Sequence, residues 1–167
     1  MNKKSRQYIG ILVAIITYYI IHEGAHFIYA LGIGVFKQIN FLGLGIQIDV
    51  YAERMTNTQM GIFCIVGSVA TALTAYFLIA LIKKIAKSNS KVFKACMYYI
   101  TMALLLLDPI YLALLCDFVG GGDMNGIALI VPKVYAKTVF VGFMALHAVL
   151  IWKVVVPGYK RMFISEQ

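Results

Sequence analysis

Residues 15–32 read IITYYIIHEGAHFIYALG, so His22, Glu23 and His26 stand within an otherwise apolar run. Three ionisable side chains at membrane depth are expensive. Even low estimates put a charged group at the centre of a spanning helix at about 2.5 to 3.5 kcal/mol. Their spacing offers compensation: residues i and i+4 share a helical face, so His22 and His26 can aim imidazole nitrogens at one point. A zinc ion suits that point, because zinc takes nitrogen ligands at roughly 2.0–2.1 Å and a catalytic site keeps a position for water. Zinc lowers the pKa of such a water towards about 7. Glu23, one residue on from His22, is then the carboxylate that takes the proton during attack on an amide and returns it to the leaving amine.

Two histidines leave a catalytic zinc site short of a ligand. The segment LLCDFVGGGDMNGIALIVP carries Asp117, Asp123 and Asn125 around Gly120, Gly121 and Gly122. Glycines permit irregular backbone, which is tolerated at membrane depth where protein encloses it or it lines a watery cavity. Asp123 is the favoured third ligand, with Asp117 and Asn125 positioning substrate or orienting a histidine. Asp108, beside Pro109 in LLLLDPIYL, is the main rival, while His147 and Cys116 are weaker ones.

These residues need elements to hold them, and composition says what kind. The 167 residues are 62% hydrophobic, with a mean hydropathy of +0.85. So much apolar surface cannot be hidden inside a soluble domain of this length and needs lipid as solvent. About 20 apolar residues cross a bilayer as a helix, and four stretches qualify: residues 8–31, 60–82, 95–118 and 137–156. The expected fold is an all-α membrane bundle in one domain over 1–167, with no repeat and no long linker.

The net charge of +8 does not point to nucleic acid, because the cations cluster just beyond the apolar stretches. Lys3, Lys4 and Arg6 precede the first; Lys83, Lys84, Lys87, Lys91 and Lys94 separate the second from the third; Lys153, Lys160 and Arg161 close the fourth. Under the positive-inside rule all three clusters are cytoplasmic, as are both termini. A bacterial cell membrane is the expected setting. At 1.5 Å per residue, His22 and His26 lie about 21 to 27 Å from the cytoplasmic start of their span, on the side where the glycine-rich segment emerges. The basic head and apolar run also look like a secretion signal, but the run is too long for that role and cleavage is not expected. Cys64, Cys96 and Cys116 are scattered and imply no disulfide framework.

After the first span, FLGLGIQIDV shows partial alternation with flanking glycines, which favours an extended, hairpin-like element. A strand edge is useful to a protease, since a helical substrate hides its peptide bonds whereas an extended one can add to a sheet. Gly24 and Ala25 leave the helix surface slim beside the histidines, so close approach of a substrate or a neighbouring backbone is expected there.

Together these pieces resemble the site-2 protease family of intramembrane zinc metalloproteases. HEGAH matches its HExxH element, and GGGDMNGI is similar to a divergent form of its later Asp motif, without the usual Asn and prolines before Leu-Asp-Gly. FLGLGIQIDV resembles its membrane-associated β-hairpin, and VGSVATALTAYFL its small-residue helix motif. The resemblance covers roughly residues 10–130. It implies one zinc per chain held by His22, His26 and Asp123, with Asp117 near the family's Asn. It also implies Glu23-dependent cleavage of membrane-embedded or membrane-associated protein or peptide substrates. The alternatives are a non-catalytic metal-binding membrane protein or transporter component, and a metalloenzyme that hydrolyses another bond.

Overall fold

A computed structural model describes residues 2–42, 45–120 and 122–164. Gly43 and Leu44 of the expected hairpin, and Gly121 of the glycine run, lie outside the described residues.

Helix α1 spans Lys3–Gly32, started by Asn2, whose side chain accepts from the Ser5 N–H at 2.8 Å. Its buried residues are Gly10, Ala14, His22, His26 and Ala30. With Tyr18 between them they form a single stripe of period four, the ridge along which helices interlock. The small members allow close approach: a Cβ on Gly10 would meet the Ala95 carbonyl oxygen at 3.3 Å. Away from the stripe, Leu12, Ile16, Ile20 and Ile28 are exposed, which water would penalise and lipid does not.

Two antiparallel strands follow, β1 (Phe36–Leu42) and β2 (Gly45–Val50), paired Ile39 to Ile48 and Phe41 to Ile46. The turn into β1 needs Gly34 at φ +72°, a left-handed conformation that glycine adopts without penalty. Helix α2 (Asn57–Ala80) opens on a capping box, with Thr56 Oγ1 accepting from the Gln59 N–H and Gln59 Oε1 accepting from the Thr56 N–H. After the short α3 (Ile82–Ala86), helix α4 (Lys91–Ile110) starts at the Ser90 cap and runs into a π-helical turn, Tyr111–Leu115.

A one-turn helix α5 (Gly122–Ile127) leads to α6 (Lys133–Leu150), a second π-helical turn (Ile151–Val155) and α7 (Val156–Ile164). Among the described residues, four stretches are long and apolar enough to cross a membrane: Lys3–Gly32, Asn57–Ala80, Lys91–Leu115 and Lys133–Met162. They match the four expected in number and order and fit an integral membrane protein. The fourth runs past the expected end at 156, because the π-helical turn carries the helix through Pro157.

α1 packs on α2 and α4, and α2 on α4. One apolar core joins Ala14, Ala75, Leu104, Val155 and Tyr159. The other surrounds Ala30, Phe63, Cys64, Leu112 and Met124, next to the histidines and the sheet.

Candidate metal centre

His22 and His26 lie on the buried stripe of α1, 6% and 3% exposed. Their Nε2 atoms are 3.1 Å apart. Asp123, in the first turn of α5, puts Oδ2 at 3.2 Å from His22 Nε2 and Oδ1 at 3.7 Å from His26 Nε2. Two glycines deliver it. Gly120 at φ +94° turns the chain back towards α1, and at Gly126 a Cβ would collide with the Cys64 side chain of α2, so only glycine lets α5 lie so close.

Asp108 sits on the other side of His22. It is 2% exposed, and its Oδ1 lies 3.0 Å from His22 Nδ1 while accepting the Tyr18 hydroxyl at 2.6 Å. Its Oδ2 accepts the Thr71 hydroxyl of α2. The two aspartates therefore face opposite nitrogens of one ring. A carboxylate at Nδ1 favours the proton there, which would free Nε2 for a metal, the usual device for orienting a metal-binding imidazole.

Whether a divalent ion suits the cluster follows from its donors. With Nδ1–H of His22 directed at Asp108, Nε2 of His22, Nε2 of His26 and a carboxylate oxygen of Asp123 converge, all within 4.8 Å of one another. Three donors at that distance could hold one metal ion, which would serve all three, whereas a proton on one Nε2 bridges one pair. The 3.1 Å nitrogen separation is close to the roughly 3.3 Å between two ligands at 2.0–2.1 Å from a tetrahedral centre. Gly67 of α2 completes the cradle, since a Cβ there would stand 2.6 Å from His26 Nε2 and 2.8 Å from His22 Nε2.

A cleft of about 330 Å³ opens beside this cluster, lined by Tyr18, Tyr19, Glu23, Phe63, Tyr111 and residues 45–48 of β2, among others. Glu23 is half-buried on its wall, and its Oε2 accepts the Ile48 N–H at 3.2 Å. That amide points away from β1, and alternate residues of a strand present their amides to the same side, so Ile46 and Ile48 turn the unpaired edge of β2 towards Glu23.

Other expected site residues lie elsewhere. Neither Asp117 nor Asn125 is among the described residues lining the cleft. Asp117 is exposed and paired with Lys133 and Lys137 of α6, whose ammonium groups hold its carboxyl down at about 2. The Asn125 side chain donates to the Gly120 carbonyl oxygen at 3.2 Å, bracing the turn before Asp123. Cys116 is buried and donates to the Leu112 carbonyl. His147 has both nitrogens engaged, Nδ1 with the Leu105 carbonyl at 2.6 Å and Nε2 with the Tyr76 hydroxyl at 2.7 Å. Pro109, four residues after Leu105, has no N–H to offer that carbonyl, and His147 supplies the donor instead. A neighbouring helix comes close to the histidines at Gly67, whereas among the described residues nothing lies within 4 Å of a Cβ built at Gly24, so no neighbouring backbone fills that surface.

Gly67, Tyr18 and Thr71 were not singled out from the sequence. Tyr18 had a signal, being one turn before His22 on the same face, and Gly67 and Thr71 belong to the small-residue run of α2. Comparison with protein-family models, with curated proteins and with solved structures gives no match for this chain.

Proposed function

We propose that this chain is an integral-membrane zinc endopeptidase, of the site-2 protease kind, that hydrolyses peptide bonds of membrane-embedded or membrane-associated substrates. The observation that carries the reading is the convergence of His22, His26 and Asp123 within 4.8 Å on the wall of a cleft that also holds Glu23. In this reading the three side chains hold one zinc ion, and Asp108 fixes the His22 ring. Bound there, zinc supplies Lewis acidity, lowering the pKa of a water and polarising an amide carbonyl.

The remaining work belongs to the chain itself. Glu23 Oε2 is engaged by the Ile48 amide, which leaves Oε1 to take the proton of the attacking water and pass it to the leaving amine. The unpaired edge of β2 offers backbone hydrogen bonds to an extended substrate segment beside Glu23. Tyr18, Tyr19, Phe63 and Tyr111 wall the cleft and limit access of bulk water. With the basic clusters cytoplasmic in a bacterial cell membrane, the cleft lies towards the opposite side.

Two measurements test this. Purified protein is expected to carry about one zinc per chain, lost in His26→Ala. Membrane peptides from cells carrying the wild type or Glu23→Gln are expected to differ, with substrates accumulating in the variant. Protein without zinc would refute the reading, and zinc with identical peptide profiles would favour metal binding without hydrolysis.

A further inference from the structure

Where α1, α4 and α7 meet at the basic end of the bundle there is a cavity of about 460 Å³, lined by neither His22 nor His26. Lys3 and Arg6 reach it from α1, Lys91 from α4 and Lys160 from α7. Ala95, Tyr98, Val156 and Tyr159 supply apolar walls between them. Cations on three different helices thus surround one space. Repulsion among them is relieved when an anion is shared.

Among the described residues the acidic side chains are Glu23, Asp49, Glu53, Asp108, Asp117 and Asp123, and none of them lines this cavity. Among the described residues, Lys3, Arg6 and Lys160 take part in no ion pair. Topology alone would be served by lysines anywhere beyond the spans, as Lys83, Lys84 and Lys87 are. It does not require four cations around one cavity.

We propose that this cavity binds the phosphate of an anionic membrane phospholipid, with the guanidinium and ammonium groups on the phosphate and the glycerol and first acyl carbons against the apolar walls. A phosphate oxygen accepts well from Arg and Lys, bidentately in the case of Arg6. The position suits a lipid, since the ends of spanning helices lie at headgroup level and basic pockets between them recognise anionic headgroups. The aromatic wall suits it as well, since tyrosine rings are favoured against acyl carbon at headgroup depth; the buried Tyr159 hydroxyl faces Thr101 instead. Mixed lining separates this ligand from free phosphate, which would leave the apolar walls uncovered. The proposal is independent of the metal centre.

The test is lipid retention by the full-length protein, measured by native mass spectrometry after exchange into mixed micelles of phosphatidylglycerol and phosphatidylcholine. Wild type is expected to keep phosphatidylglycerol selectively. Arg6→Gln/Lys160→Gln is expected to bind it about 25-fold more weakly, at roughly five-fold per surface cation. Lys83→Gln, at the same end but outside the cavity, is expected to change affinity less than two-fold. Lys160 is exposed and Arg6 half-buried, and an unchanged melting temperature checks the fold. Equal retention of the two lipids would overturn the proposal, as would equal losses in the double variant and Lys83→Gln. Displacement of the lipid by equimolar inorganic phosphate would overturn the lipid as the ligand.

Discussion

Gly67→Ala places a single methyl group against both histidines and nothing else need change. The added carbon would stand 2.6 Å from His26 Nε2 and 2.8 Å from His22 Nε2, where ordinary contact begins at 3.4 Å. The rings would have to retreat by about 0.8 and 0.6 Å, the differences between those distances. Neither has room. His22 is held from behind by Asp108, and His26 packs on the Phe63 ring at 4.7 Å between centroids. Overpacking of this kind costs about 1–3 kcal/mol, and the retreat carries both nitrogens out of register with Asp123.

The matched control is Gly24→Ala on α1, between the two histidines in sequence, where a Cβ meets nothing within 4 Å among the described residues. It is expected to be neutral or to stabilise the helix by up to about 1 kcal/mol, since Ala outranks Gly in helix propensity. The assay is zinc content with a competing chelator, alongside thermal melting in detergent. Gly67→Ala is expected to lose at least ten-fold in zinc affinity and Gly24→Ala to retain it. Wild-type affinity in both would refute the assigned cradle.

Other outcomes follow from the same geometry. Asp108→Asn keeps the shape but no longer holds the His22 proton as a carboxylate does, and is expected to weaken zinc binding about 10- to 100-fold, read by chelator competition. Asp123→Ala removes a proposed ligand and is expected to cost more; the reverse order would make Asp108 the ligand. His147→Ala strands the Leu105 carbonyl and is expected to lower stability by about 1–3 kcal/mol without altering zinc content. Pro109→Ala restores an N–H for that carbonyl, so a double-mutant cycle should show the His147→Ala cost shrinking in its presence. The Asp117 carboxyl, held at about 2 by Lys133 and Lys137 against 3.8 in the unfolded chain, stabilises the fold above the higher value. That contribution is lost as pH falls from 3.8 towards 2, so wild type but not Asp117→Asn should show this component of acid destabilisation in pH-dependent melting.

Much of the architecture was legible because it is written in local patterns. Apolar length marks a spanning helix without reference to any partner, and four stretches did so. The spacing of His22 and His26 puts them on one face by helical period alone, and the alternation in FLGLGIQIDV signalled β2, whereas most of β1 precedes that stretch. What local pattern cannot carry is the rotation and offset of one helix against another. Asp108 and Asp123 are both carboxylates close to proline or glycine, and the sequence ranked them without showing that each would address a different nitrogen of His22.

The sequence by itself determined which residue types could bind a cation and which segments are long and apolar enough to span a membrane, because helical period and transfer free energy act on neighbours along the chain. Tertiary structure alone decided that Asp108 orients the His22 ring from behind, that Gly67 rather than Gly24 makes room beside the imidazoles, and that β2 turns its open edge to Glu23. It also drew Asp117 away to Lys133 and Lys137 and set His147 to answer for Pro109. Each of these depends on contacts between residues far apart in sequence, where a rotation of one helix by a fraction of a turn exchanges every partner.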